Sequence, residues 1–259
     1  MQKLGKTDLL VPEIALGCMR MDRLTTAEAA RVLGTALDLG MNFFDHADIY
    51  GRGASEERFT AARKELGLAR DQLLLQSKCG IHDRIFDFSK DHILASVDGI
   101  LRRLDTDYLD VLALHRPDAL MEAEEVAEAF RILYQAGKVR HFGVSNQNIY
   151  QMELLQSYMD QPLVVNQLQL SPAHTPLIDA GLHVNMREES GIMRDGGLID
   201  YCQLKKITIQ AWSPFLIDLH QGIFAGHPDY AELNATLDRY AQEYGVATEA
   251  IVIAWIMRH

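Results

Sequence analysis

Residues 14–51 read IALGCMRMDRLTTAEAARVLGTALDLGMNFFDHADIYG, and their periodicity decides the fold. Ile14–Cys18 is a short apolar run, Thr25–Leu39 repeats its apolar residues at helical spacing, and Asn42–Asp45 is a second apolar run that ends on an acid. That pattern predicts strand, helix, strand. The helix carries its own punctuation: Thr25 and Glu28 have capping-box spacing, Ala29, Val32, Leu33, Ala36 and Leu37 share one face, and Gly40 stops it. A helix between two short connections returns the second strand parallel to the first.

The unit recurs along the chain. Strands are expected at Leu73–Lys78, Tyr108–His115, Arg140–Ser145, Leu163–Gln169 and near Ile207–Trp212, making seven with the first two. Helices are expected at Ser89–Leu104, Met121–Gln135, Asn148–Tyr158, Ala231–Tyr244 and from Thr248 to about Met257, with a loop rich in Gly, His and Pro after Trp212. A long βα series either spreads into an open sheet or closes. Polar residues at the carboxyl ends of many strands (Asp45, Lys78, His115, Ser145, Asn146, Gln167, Trp212) favour a TIM barrel, which builds its site there. An open doubly wound sheet would carry a glycine-rich turn after its first strand, and Leu16-Gly17-Cys18-Met19-Arg20 has no GxGxxG. The expectation is a single α/β domain over residues 1–259, a (β/α)8 barrel whose eighth strand and last helix are missing from these residues, the natural chain running on for one more strand–helix unit.

Composition narrows the function. Of 259 residues 48% are apolar and 24% charged, ordinary for a globular chain. Lys and Arg number 25 against 36 Asp and Glu, a net charge of −11 that repels phosphate backbones and anionic lipid, so neither nucleic acid nor membrane is an expected partner. The three cysteines, Cys18, Cys79 and Cys202, lack CxxC spacing and suit a reducing cytoplasm as small buried hydrophobes. His46 beside Asp45 and Asp48 lacks the HxH or HExxH spacing of a zinc site, so no metal is expected. The acids Glu122, Glu124, Glu125 and Glu128 read as a solvated face at a helix start.

Three strand ends carry chemistry. Asp45 and Tyr50 stand five apart in Asp45-His46-Ala47-Asp48-Ile49-Tyr50-Gly51, Lys78 closes an otherwise apolar strand, and His115 closes another. A buried ammonium needs a partner, and Asp45 is the natural one. A closed barrel brings successive strand ends around one cavity. There a carboxylate holds the ammonium, the ammonium draws the phenol's pKa down from about 10, and the imidazole orients a carbonyl: an arrangement for protonating a carbonyl oxygen.

From Leu4 to Trp255 these residues, in this order, resemble the aldo-keto reductases, and the DHADIYG spelling is similar to a subset of bacterial predicted oxidoreductases. The resemblance implies an NAD(P)H-dependent oxidoreductase that reduces a small carbonyl substrate, an aldehyde or ketone, in a monomer or weak homo-oligomer. It assigns the general acid to Tyr50, the supporting ion pair to Asp45 and Lys78, and the carbonyl-orienting role to His115. It places Ser145, Asn146 and Gln167 on the nicotinamide carboxamide, Trp212 on the nicotinamide ring, and Ser213, Pro214, Phe215 and Leu216 along the pyrophosphate, with Asp45, Gly17, Cys18 and Met19 also beside the cofactor. That cofactor is NADP(H), with NAD(H) left open because the family's 2′-phosphate residues follow the eighth strand. Most of the family has Thr where this chain has His46, and the simplest expectation is that His46 hydrogen-bonds outside the pocket. The family also includes potassium-channel β subunits, so the alternative is a non-catalytic nicotinamide-nucleotide-binding regulator.

Overall fold

The structure, a computed structural model, describes residues 1–82 and 85–259. Among them seven strands form one sheet: β1 (Leu16–Gly17), β2 (Phe43–Asp45), β3 (Leu74–Cys79), β4 (Leu109–Leu114), β5 (Val139–Ser145), β6 (Leu163–Gln169) and β7 (Thr208–Trp212). Their order in the sheet, β7-β6-β5-β4-β3-β2-β1, is their order in the sequence reversed. The pairs from β1 to β5 are parallel, with Asp45 opposite Gln76, Lys78 opposite Ala113 and Cys79 opposite Leu114. That arrangement needs a crossover after every strand, and helices supply it: α1 (Thr26–Asp38), α2 (Ala54–Glu65), α3 (Lys90–Leu104), α4 (Ala123–Gln135) and α5 (Ile149–Gln156).

The chain divides into two compact units, Met1–Asn166 with Lys206–Thr208, and Gln167–Lys205 with Ile209–His259. In the first, every side chain of β4 is buried, as in strands covered on both faces, and Leu4, Val11, Phe43, Val111, Val164 and Val165 form one apolar cluster. The capping box of α1 is present, Thr25 accepting from the Glu28 N–H and Glu28 from the Thr25 N–H, and Gly40 follows at φ +77°. Asn148 and Gln151 form a second capping box at α5, and Ser89 caps α3 by accepting from the His92 N–H. The second unit holds α6 (Pro176–Leu182), α7 (Leu198–Lys205), α8 (Ala231–Tyr244) and α9 (Thr248–Arg258), with Ile217, Phe224, Leu237 and Val252 at its core.

The structure corrects the periodicity reading in four places. Helix α2 has no counterpart in the expected pattern, because its inner face is polar: Ser55, Glu56, Thr60 and Arg63 are buried beside Phe59 and Ala62, so no apolar stripe marks it. The short helices α6 and α7 were also without a signal. The loop expected after Trp212 contains a hairpin, Leu216–Asp218 with Gly222–Ile223, so Leu216 stands in a strand. On α1 it is Ala30 that is buried, while Val32 is exposed.

Candidate active site

Strand β2 delivers Asp45 and the chain after it stays tied to β3: the His46 N–H donates to the Gln76 carbonyl at 2.8 Å and the Asp48 N–H to the Lys78 carbonyl at 3.0 Å. This ladder of bonds sets the turn that presents Tyr50, whose own N–H bonds the Ala47 carbonyl at 3.0 Å. Gly51 and Gly53 follow at φ +57° and +91°; a Cβ at Gly51 would come within 2.8 Å of Asp22 Cγ. Glycine is what the turn requires there. The His115 N–H donates to the Cys79 carbonyl at 2.9 Å, which sets His115 just past the end of β4.

Four expected residues meet. The Lys78 ammonium, 2% exposed, donates to both Asp45 oxygens at 2.8 and 2.7 Å, to the His46 carbonyl at 2.8 Å and to the Tyr50 hydroxyl at 3.4 Å. Gln76 donates to Asp45 Oδ1 at 2.7 Å, a role the sequence did not suggest. The rings of Tyr50 and His115 meet edge to face, centroids 5.8 Å apart. Phenol, ammonium and imidazole therefore converge on one point at the carboxyl ends of β2 to β4.

Burial and charge compete at each of them. Burial disfavours the Lys78 ammonium, but Asp45 and Tyr50 outweigh it and hold its pKa above the ordinary lysine value. The Tyr50 phenol is pushed above 10 by burial, with Lys78 pulling it back and Asp45 adding to the rise. This corrects the expectation that Lys78 leaves Tyr50 below its ordinary value: burial of the phenol is the larger effect. Burial, the Lys78 charge and Arg116 push the His115 imidazole down to about 3, so it is neutral at pH 7. His46 is a second correction. It is wholly buried, edge-on to Phe59, with a pKa pushed to about 3 by burial, and neither ring nitrogen has a hydrogen-bond partner among the described residues.

The other expected residues of the first unit are placed as follows. Gly17 is exposed and open space lies where a Cβ would stand. Cys18 is buried, and burial raises its thiol well above the ordinary value, while Met19 is half exposed. Ser145 ends β5, and Asn146, at φ +57°, donates to its hydroxyl at 2.7 Å. In the second unit Gln167 on β6 donates to Gln210 at 2.8 Å, and Trp212, half-buried, ends β7. Ser213 follows at φ +51°, with Pro214, Phe215 and Leu216 half-buried after it.

A model of the Aldo/keto reductase family matches residues 13–259. The chain belongs to the aldo/keto reductase family. Two bacterial relatives are similar to this aldo/keto reductase over most of their length. The uncharacterized oxidoreductase YcsN of Bacillus subtilis is 35% identical, spanning 97% of this chain and 82% of its own. The oxidoreductase YdhF of Escherichia coli is 37% identical, spanning 86% and 71%. Among solved structures, an aldo-keto reductase of Klebsiella pneumoniae in complex with NADPH superposes with a TM-score of 0.76 at 25% identity, covering 96% of this chain and 78% of that one. The fold class is that of these (β/α)8 reductases. No helix among the described residues is long and apolar enough to cross a membrane.

Proposed function

We propose that this aldo/keto reductase reduces a small aldehyde or ketone, using NADP(H), with Tyr50 giving its proton to the carbonyl oxygen. The observation that carries the reading is the shared hydrogen-bond set of Lys78, Asp45 and Tyr50 beside a neutral His115. A proton donor must be protonated at working pH. An imidazole with a pKa of about 3 is not, whereas a phenol held above 10 is. His115 is then left to donate a neutral N–H that orients the carbonyl. The phenolate left behind is costly in a buried place, and the Lys78 ammonium, fixed by Asp45, is the charge that offsets it.

Support for the cofactor is of two kinds. The Klebsiella relative holds NADPH, and the residues of the first unit fit the nicotinamide end of such a ligand: Gly17 leaves open ground, and Ser145 with Asn146 offers the donors and acceptors a carboxamide needs. When bound, the reduced nicotinamide supplies the reducing equivalent. In the first unit Ser145 and Asn146 would fix its carboxamide, with Gly17, Cys18 and Met19 alongside; for the second unit the family resemblance is the support for Gln167, Trp212 and Ser213 to Leu216 as cofactor residues.

Tyr50→Phe tests the reading. Consumption of reduced nicotinamide against a carbonyl panel should fall by roughly 10²–10⁴-fold, the usual share of a positioned general acid, while cofactor affinity by fluorescence titration stays unchanged. A loss smaller than about tenfold overturns the assignment.

A further inference from the structure

Behind the ammonium and the phenol lies a second set of charged side chains that the reaction does not use. Glu56, in the first turn of α2, is wholly buried. Its Oε1 accepts from the Ser77 hydroxyl at 2.8 Å, and its Oε2 accepts from Arg103 Nε at 2.7 Å. Ser77 precedes Lys78 on β3, and Arg103 stands near the end of α3. The Arg103 side chain in turn lies against Gly53, where a Cβ would come within 2.6 Å of its Cδ, and Gly53 closes the turn that begins at Tyr50. One carboxylate thus joins the strand that bears the ammonium, the helix beyond it and the turn that bears the phenol. Asp48 faces the same place: burial, then the Glu56 charge, push its carboxyl up to about 7, with Arg103, the Ile49 N–H and the Ser96 hydroxyl opposing.

Stability alone is a weak reason for such an arrangement. A buried ion pair gives back little more than its desolvation costs, and apolar residues of similar volume often serve as well. What it does supply is geometry. The Lys78–Tyr50 contact, at 3.4 Å, is at the long limit of a hydrogen bond, where a few tenths of an ångström decide whether the ammonium supports the phenolate.

We propose that Glu56 is a positioning residue for Tyr50: by tying Ser77 and Arg103 to the helix that follows the Tyr50 turn, its carboxylate sets the distance between the Tyr50 hydroxyl and the Lys78 ammonium. This rests on Tyr50 being the proton donor.

Glu56→Gln is the test, since it keeps the size of the side chain but removes the charged acceptor facing Arg103. In the folded variant kcat falls by about tenfold or more, the scale of a sub-ångström misplacement, while KM and cofactor affinity hold. Ser77→Ala, which cuts one of the two links, gives a smaller loss of the same kind and serves where the Gln variant folds poorly. A readout without substrate accompanies them: the ultraviolet titration of Tyr50, taken as the difference between each protein and its Tyr50→Phe version, moves to higher pH as Lys78 withdraws. A folded Glu56→Gln enzyme with wild-type kcat, a kcat that falls only in step with cofactor affinity, or an unmoved Tyr50 titration overturns the proposal. A wild-type protein that turns over no carbonyl overturns the donor reading instead, and the titration still decides the positioning.

Discussion

Two aspartates sit on neighbouring parts of the same parallel sheet and do different things. Asp110, near the amino end of β4, is buried and saturated: Arg70 and the Leu75 N–H bond one oxygen at 2.7 and 2.9 Å, and Arg140 bonds the other at 3.0 Å. Asp45, at the carboxyl end of β2, is held by Lys78 and Gln76 in a place that also contains a phenol and an imidazole. The partners make the difference. A guanidinium is a planar fork that does not give up its proton in a protein, so Asp110 and its arginines can only hold strands together. Lysine, tyrosine and histidine can each hold or move a proton, and all three are displaced from their ordinary values, tyrosine and histidine by burial and lysine, against burial, by Asp45 and Tyr50. In barrels of this class the amino-terminal face carries stability and the carboxyl-terminal face carries chemistry, and here the division is drawn in the choice of cation.

Exchanging one partner at each end should break the comparison in opposite ways. Lys78→Met removes the charge that opposes burial of the Tyr50 phenolate, and kcat should fall by roughly 10²-fold or more with cofactor affinity retained. Turnover within about tenfold of wild type would put Lys78 outside the chemistry. Asp110→Ala strands Arg70 and the Leu75 N–H in the interior and should cost about 3–5 kcal/mol in denaturant unfolding, with kcat per folded molecule unchanged. A rate loss there comparable with that of Lys78→Met would erase the division between the two ends.

Acid sharpens the contrast, because the titrating groups lie at one end. His46 and His115 are neutral in the folded chain down to about 3 but bind protons near 6.5 when unfolded, so the stability they carry is lost as pH falls through that window. Asp48 runs the other way: folded, it keeps its proton up to about 7, and unfolded it releases it near 3.8, so its contribution is lost as pH rises. At about pH 5 these three groups leave the unfolded state one proton ahead, a slope of about 1.4 kcal/mol per pH unit. Asp48→Asn should steepen the slope measured in unfolding titrations near pH 5 by about 1.4 kcal/mol per pH unit, and a slope unchanged by the substitution would show that Asp48 is ionised in the folded chain. The pH profile of kcat should carry no imidazole inflection between about 5 and 8. An inflection that vanished in His115→Gln would mean that His115 titrates.

What the sequence made legible follows the same division. The sheet and most crossover helices announce themselves because apolar residues alternate with caps and glycines, as in Thr25–Gly40. Asp45, Tyr50, Lys78 and His115 were readable because strand ends in a barrel converge, so four separate polar residues could be placed around one point. The layer behind them was not readable. Glu56, Ser77 and Arg103 lie on three elements, and the helix that carries Glu56 buries polar side chains beside Phe59 and Ala62, so periodicity passes over it. The direction of the Tyr50 pKa is not legible for a related reason: the spacing shows that a cation is near, but the extent of burial exists only once the chain has folded.

The smallest expected effect lies within the Asp110 cluster and tests whether fixing that acid depends on charge or on burial. Both arginines pair with Asp110 and both stack on Tyr108, with guanidinium carbons 3.9 and 3.8 Å from the ring centre, so in these two contacts they are equals. Exposure separates them: Arg70 is 16% exposed and Arg140 52%. Water competes for the Arg140 pair, and a half-exposed ion pair with one cation–π contact is worth about 1 kcal/mol or less. Arg70 also donates to the Leu73 and Tyr108 carbonyls and to the Thr106 hydroxyl, none of which its loss would leave well solvated. Arg140→Met should therefore shift the unfolding free energy by about 1 kcal/mol, and Arg70→Met by a few times more. Equal losses would mean that the Asp110 charge, rather than the buried hydrogen bonds around it, governs this end of the sheet.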